Sequence, residues 1–174
     1  MRLTLAGLAA PLIHRKERLG FSVPRRPLVG RARRGGGQEQ ADGDTPTPAQ
    51  SWSVDVPGLA EAVPVVRRWV RLLLANDPEL AGTVELIAGE YTTNALWHSA
   101  SGDVGGRIRV GLLCEAGRTT FTVLDAGASA GPGRWGPDHP EDHGRGLAIV
   151  AACAAEHGHR DTPDGRLAWA VVDH

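Results

Sequence analysis

The sequence predicts an α+β fold, a two-layer sandwich with helices on one face of a mainly antiparallel sheet. Two observations support this prediction. Segments of alternating apolar and polar residues, typical of half-buried strands, come in pairs joined by short turns. The predicted order along the chain is strand, helix, helix, two strands, a long loop, helix and two strands. This order lacks the regular βαβ alternation of a doubly wound parallel sheet.

The first predicted elements lie between residues 52 and 74. Trp52, Val54 and Val56 alternate with polar residues, which predicts a short strand ended by a Pro-Gly pair. Residues 59–74 then form a predicted helix, and Pro64 moves the expected start of its regular part toward that residue. The apolar side chains of this helix recur at intervals of three and four, at Val63, Val66, Trp69, Val70 and Leu73.

A second helix is predicted over residues 78–99, after the break at residues 76–78. Its apolar face holds Val84, Ile87, Tyr91, Ala95 and His98. A flexible turn is expected over residues 101–106, which are rich in Gly. Two alternating segments, residues 107–113 and 119–124, then predict a hairpin.

The last predicted elements follow a loop rich in Gly and Pro that covers residues 125–143. A loop of this length in a compact domain is usually functional or disordered. A helix is predicted over residues 144–156, and residues 157–161 and 166–172 form a final predicted hairpin.

The charges divide the chain into two parts. Residues 1–50 carry nine basic and four acidic residues, whereas residues 51–174 carry ten and sixteen. The first part is also rich in Pro and Gly, which predicts a disordered basic tail followed by one folded domain over residues 51–174. The basic run over residues 25–34 could contact nucleic acid or anionic lipid, but the composition favours a solvated tail.

Composition also bears on location. The net charge of −1 gives no indication of a direct nucleic-acid partner. No apolar run approaches the length of a membrane span, and the apolar start lacks the small-residue cleavage site of a signal peptide. Two cysteines, Cys114 and Cys153, suit a reducing compartment. We therefore expect a cytoplasmic protein without a membrane partner.

Glu90 and Asn94 are the first candidates for chemistry. They are four residues apart on a predicted helix, so their side chains share one face. A carboxylate and an amide oxygen placed in this way suit Mg²⁺, and the carboxylate could equally serve as a general base. The plainer interpretation, a pair of surface side chains, is the commoner one for this spacing alone.

Two Gly-containing segments are further candidates. Asp125-Ala126-Gly127 directly follows a predicted buried strand, where an Asp can present an acceptor into a cleft; a simple turn explains it equally well. Gly144, Arg145, Gly146 and Leu147 open a predicted helix, whose free N–H groups favour phosphate. Arg145 could steer a phosphate or pair with a surface acid. Zinc binding by the His and acidic residues 139–143, followed later by His157 and His159, is a weaker hypothesis, because no Cys accompanies them.

The order of these three segments resembles the GHKL (histidine-kinase-like) ATPase family. The segments are residues 89–98 (GEYTTNALWH), 123–127 (VLDAG) and 143–150 (HGRGLAIV). Within the family, the chain is similar to the anti-sigma-factor serine/threonine kinase-like domains of actinobacteria. The resemblance covers about residues 51–172 and implies a Bergerat-type ATP-binding fold. Where that family often places Thr after a Gly in its last strand, this chain has Arg166 and Leu167 after Gly165.

The resemblance implies a role for each residue. Asn94 would ligate the Mg²⁺ that bridges the phosphates of ATP, and Glu90 would be the catalytic base. Asp125 would accept a hydrogen bond from the adenine amino group, and Gly127 would make room for the base. The phosphates would lie on the motif that opens the last helix: Gly144, Arg145, Gly146 and Leu147. Residues 128–143 would form the lid over ATP.

The implied function is that of an ATP-dependent regulator. It would hold a sigma factor in check and phosphorylate a Ser or Thr of an anti-anti-sigma protein, and the family suggests a homodimer. Two alternatives stay open. One is a catalytically silent binding module for which nucleotide is only a conformational ligand. The other is an accessory ATPase module without a link to a sigma factor, since fold does not determine partner.

Overall fold

The computed structural model describes residues 14–15, 49–128 and 145–174. In these ranges a six-stranded sheet has the order β1-β2-β3-β4-β6-β5, and all neighbouring strands are antiparallel. The strands are β1 (His14–Arg15), β2 (Gln50–Pro57), β3 (Arg107–Glu115), β4 (Arg118–Asp125), β5 (Glu156–Thr162) and β6 (Gly165–Asp173). The helices are α1 (Ala62–Leu73), α2 (Pro78–His98), a short 3-10 helix (Ala100–Gly102) and α3 (Arg145–Cys153). The predicted α+β fold is confirmed.

Strand register places the core on one face of the sheet. Val54, Val110, Val123 and Ala168 lie opposite one another across four strands. These residues belong to one apolar cluster with the buried side chains of α1 and α2. Every second side chain of a strand points to the same face, so these four residues lie on one face of the sheet. The helices pack against that face.

Helices α1 and α2 pack side by side on that face. Val66 and Val70 of α1, and Val84 and Ile87 of α2, are completely buried, as their helical spacing predicts. Tyr91 ties α2 to the sheet, since its hydroxyl donates to the carbonyl of Trp169 at 2.9 Å. Burial raises the pKa of Tyr91 to about 12, so this donor keeps its proton at neutral pH.

Glu85 joins the two helices through ion pairs. Its carboxylate accepts from Nε of Arg71 at 3.0 Å and from Nε of Arg67 at 3.3 Å. The hydrogen bond from Arg71 is the main reason why the pKa of Glu85 lies below its usual value. The pairs therefore connect α1 to α2 through charged side chains.

Helix α2 begins with a side-chain cap. The Oδ1 atom of Asp77 accepts from the backbone N–H of Leu80 at 3.0 Å, and Pro78 occupies the first turn. We expect Asp77→Ala to lower the free energy of unfolding by about 1 kcal/mol, because one N–H at the helix start loses its partner. Urea denaturation measures this, and Asp77→Asn, which retains a capping oxygen, should leave the midpoint nearly unchanged.

Two details of the predicted elements differ from the structure. The third helix ends at Cys153 rather than at residue 156, because the backbone N–H of Ala155 donates to Val171 of β6 at 2.8 Å and starts β5. His98 is exposed rather than on the buried face, since it is the last residue of α2 and Ser99 is already extended. The predicted start of the third helix at Gly144, the loop over residues 129–143 and most of the tail lie outside the described residues.

Candidate functional site

Glu90 and Asn94 lie one turn apart in the second half of α2. Both side chains are half-buried. Within the described part of the chain, neither side chain has a hydrogen-bond or ion-pair partner. Because both side chains are half-buried and unpaired, their oxygen atoms are available to a ligand.

The start of α3 lies directly against Glu90. A Cβ added at Gly146 would be 3.2 Å from Cδ of Glu90 and closer still to Oε2. A side chain at this position would force the Glu90 carboxylate to move, so the glycine allows the first turn of α3 to approach the carboxylate as it lies here. A helix start presents unpaired N–H groups and the positive end of the helix dipole, both of which attract anions. Leu147 is exposed beside it, whereas Gly144 and the side chain of Arg145 lie outside what the structure describes.

Asp125 occupies the end of β4, opposite Arg166 of β6. Its side chain is half-buried, and Oδ1 accepts from the N–H of Gly127 at 2.7 Å. Burial raises the pKa of Asp125 above its usual value, while the Gly127 N–H and the charge of Arg166 act in the opposite direction. The carboxyl group is thus oriented at the sheet end as a hydrogen-bond acceptor.

Two glycines shape the backbone around Asp125. Gly127 has φ +75° and Gly165 has φ +135°, values that other residues rarely adopt. A Cβ added at Gly165 would come within 2.8 Å of the carbonyl carbon of Asp125. The turn after β4 and the start of β6 therefore touch backbone to backbone.

Ser101 connects this turn to α2, a link that sequence reasoning missed. Its hydroxyl oxygen accepts from the N–H of Ala126 at 2.8 Å and donates to the carbonyl of Arg107 at 2.7 Å. Next to it, the N–H of Ala100 donates to the carbonyl of Gly127 at 2.9 Å. The expected flexible turn over residues 101–106 is instead buried in part, with Ser101 completely covered. A Gly/Ser segment between elements is the only signal of this in the sequence.

The contribution of the Ser101 hydroxyl to folding can be tested by measuring the free energy of unfolding. We expect Ser101→Ala to lower the free energy of unfolding by about 1–3 kcal/mol, because the N–H of Ala126 loses its acceptor. Thr83→Ala is the matched control, since the Thr83 hydroxyl also bonds to a backbone carbonyl but at an exposed position. Equal urea midpoints for the two variants would contradict the assigned role of Ser101.

The other sequence candidates lie elsewhere. The cluster over residues 139–143 is outside the described residues, and His157 and His159 are exposed on β5. No group of three or more potential metal ligands occurs among the described His, Cys, Asp and Glu residues. Cys114 and Cys153 are free thiols, and burial raises the pKa of Cys114. None of the described helices combines the length and apolar character needed to cross a membrane.

Both other segments contact α2 or the residues that directly follow it: Gly146 at the start of α3 lies against Glu90, and residues 100 and 101 are hydrogen-bonded to the turn after β4. Helix α2 supplies oxygen atoms, the start of α3 supplies N–H groups, and the end of β4 supplies an oriented acceptor. The amide and carboxylate oxygens fit the preference of a hard cation such as Mg²⁺. This combination suits a ligand with anionic groups at one end and a polar planar group at the other.

Comparisons with known proteins identify the family and the fold of the chain. No curated protein matches the chain. Among solved structures, the chain is similar to the RsbU and RsbW domains of Rv1364c from Mycobacterium tuberculosis, with 21% identity and a TM-score of 0.53. The match covers 73% of this chain and 32% of that one, so the chain corresponds to about a third of the solved protein. The family model for the histidine kinase-like ATPase domain matches residues 56–171. The chain therefore belongs to the histidine kinase-like ATPase domain family.

Proposed function

We propose that residues 51–174 bind ATP with Mg²⁺ in the cleft between α2, α3 and the end of β4. The observation that carries this proposal is the contact between Gly146 and Glu90, which brings a helix start to an unpartnered carboxylate one helical turn from Asn94. Phosphoryl transfer depends mainly on positioning and charge stabilisation. Helix α2, the start of α3 and the end of β4 could supply both the positioning and the charge stabilisation.

Each residue then has a defined task. The N–H groups at the start of α3, with the Gly144 to Leu147 motif, hold the phosphates, and Asn94 provides an oxygen ligand for Mg²⁺. Bound Mg²⁺ would neutralise phosphate charge. Glu90, which has no partner among the described residues, accepts the proton of the attacking hydroxyl. Asp125 accepts from the adenine amino group, and Gly127 leaves space for the base.

The activity that we propose is that of an anti-sigma factor serine/threonine kinase. The chain would bind a sigma factor and phosphorylate a Ser or Thr of an anti-anti-sigma protein, as a homodimer in the cytoplasm where these partners occur. The support is the family membership together with similarity to a solved structure that includes an RsbW domain. The bond that forms joins the acceptor oxygen to the γ-phosphorus, ADP leaves, and Glu90 takes the proton.

One observation favours the alternative of a catalytically silent, nucleotide-responsive binding module. Strand β6 begins Gly165-Arg166-Leu167, so the hydroxyl that the family often supplies after this Gly is missing from this stretch. In this alternative the chain acts through protein contacts, and nucleotide changes only its conformation.

Calorimetric titration of the full chain with ATP, with and without Mg²⁺, tests the binding proposal. We expect Mg²⁺-dependent binding that falls at least about tenfold in Asp125→Asn, because the single amide oxygen would pair with the N–H of Gly127 and leave an NH₂ donor facing the adenine amino group. Asp77→Asn is the control, because Asp77 lies thirteen residues before Glu90 on the same helix and Asn preserves its cap. Absence of binding up to millimolar ATP, a free energy of only about −4 kcal/mol, would contradict the proposal.

A further inference from the structure

Arg166 stands directly opposite Asp125, at the position where the family often places a Thr. Asp125 and Arg166 are paired in the register of β4 and β6, and Asp161 of β5 lies opposite Arg166 on its other side. Residues that face each other on neighbouring antiparallel strands have Cβ atoms about 4.5–5.5 Å apart. The side chain of Arg166 therefore starts beside the carboxylate that the proposed function assigns to the adenine amino group.

The alternation of β6 turns Arg166 toward the helices. Ala168 and Ala170, two and four residues further along the strand, pack with the apolar cluster that contains the helix residues. Every second residue of a strand points to the same face, so Arg166 shares their face. Helix α2 lies over this strand, because the hydroxyl of Tyr91 donates to the carbonyl of Trp169. Arg166 is therefore on the side of the sheet that carries the proposed nucleotide site.

The guanidinium of Arg166 is held by one ion pair and retains donors for a ligand. Its Nε donates to Oδ1 of Asp161 at 3.0 Å. An arginine has five N–H donors, and the two terminal nitrogens form no hydrogen bond with the described residues. About half of the side chain, 52%, is exposed. Arg166 pairs with Asp161 and not with Asp125, although its charge lowers the pKa of Asp125.

An acceptor beside a donor matches an edge of adenine. The amino group of adenine donates, and the ring nitrogens on its two sides, N7 and N1, accept. Side-chain amides recognise adenine in DNA with the same combination of one acceptor and one donor. Here Asp125 offers the acceptor and Arg166 offers the donor from the neighbouring strand. A threonine hydroxyl can donate or accept, whereas a guanidinium only donates, so this chain fixes the direction of the hydrogen bond.

We propose that Arg166 is a base-recognition residue, which donates a hydrogen bond to a ring nitrogen beside the adenine amino group while Asp125 accepts from that amino group. Asp161 is a positioning residue, because it orients the guanidinium. The inference rests on the proposed nucleotide site, and it applies equally to a kinase and to a silent binding module. It gives a function to the position at which the hydroxyl of the family is missing.

Calorimetry with ATP and two analogues tests the inference on the full chain. The analogues are 7-deaza-ATP and 1-deaza-ATP, in which a C–H replaces N7 or N1. We expect the wild type to bind one of them about tenfold more weakly than ATP, because a hydrogen bond from a charged donor is lost. Arg166→Ala should bind ATP about as weakly and should no longer distinguish ATP from that analogue. A loss of charge alone would weaken ATP and the analogue by the same factor.

Arg109→Ala is the matched control. Arg109 forms an ion pair of the same kind with Asp55, across neighbouring strands, and its side chain is also 52% exposed. It lies on the face of the sheet away from the helices, because the adjacent Val110 belongs to the core. We expect Arg109→Ala to leave the affinities for all three nucleotides unchanged.

The outcomes distinguish this inference from the proposed site itself. Absence of ATP binding to the wild type would refute the nucleotide site and the role of Arg166 with it. If ATP binding depends on Asp125 but is unchanged in Arg166→Ala, only the role of Arg166 is refuted. Equal binding of all three nucleotides by the wild type, or discrimination that persists in Arg166→Ala, would also refute it. If Arg166→Ala is unfolded, Arg166→Met replaces it, since Met keeps an aliphatic stem without donors, and the same loss of discrimination is expected.

Discussion

Replacing Glu90 by glutamine is expected to lower the rate of phosphoryl transfer by about 10²–10⁴-fold, the usual contribution of a general base. ATP binding should persist, because the amide keeps the size of the side chain beside Gly146. Single-turnover transfer of radiolabelled γ-phosphate to the acceptor protein measures the rate, and calorimetry measures the affinity. Glu79→Gln, an exposed position in the first turn of the same helix, is the control.

Asn94→Ala separates the two proposed functions. In a kinase, loss of the amide oxygen removes a ligand of Mg²⁺, so both the Mg²⁺ dependence of binding and the transfer reaction should disappear. In a silent module, binding of the protein partner should be largely unaffected. Wild-type transfer rates in both Glu90→Gln and Asn94→Ala would refute the assignment of the catalytic site, even if ATP binds.

Replacing Gly165 by alanine is expected to have the largest effect on stability, about 3 kcal/mol or more of unfolding free energy. A positive φ at a residue with a side chain costs about 1–3 kcal/mol by itself. The added Cβ also meets the backbone of Asp125 and would come within 3.1 Å of Cα of Ala126. Because backbone cannot move aside as a long side chain can, the turn that carries Asp125 and Gly127 must shift.

Two measurements on Gly165→Ala verify this reasoning. Urea denaturation gives the loss of stability, and titration with ATP shows whether affinity falls with it. Gly82→Ala is the matched control: Gly82 lies in α2, and a Cβ there meets nothing within 4 Å. This change should stabilise the chain by about 0.5–1 kcal/mol, since alanine favours a helix over glycine. Equal effects of the two substitutions would show that the contact with Asp125 has no energetic importance.

Much of the fold could be predicted from local patterns. Val66 and Val70 are buried because they recur at helical spacing, and Ile108, Val110 and Leu112 are buried because alternate residues of a strand share a face. The common face of Glu90 and Asn94 follows from the same helical period. The family resemblance then implied roles for these residues. The match of the family model to residues 56–171 confirms the family, and the roles of the individual residues stay predictions.

The ends of elements and the contacts between distant segments could not be predicted in this way. The third helix stops at Cys153 because a hydrogen bond from Ala155 to Val171 draws the chain into the sheet. Nothing within the helix itself signals that stop. The Gly/Ser segment after α2 has the composition of a mobile turn, yet Ser101 is buried because it bonds to Ala126.

The sequence by itself therefore determined the element types, the apolar faces and the candidate residues, because periodicity and turn chemistry operate over a few neighbouring residues. Only the tertiary structure decided that Gly146 lies against Glu90, that Gly165 touches the backbone of Asp125 and that Ser101 holds the turn after β4. These pairs are 25 to 56 residues apart in the chain. They meet only because antiparallel strand register and helix packing bring the start of α3 against α2, and the end of β4 against both β6 and the segment that follows α2.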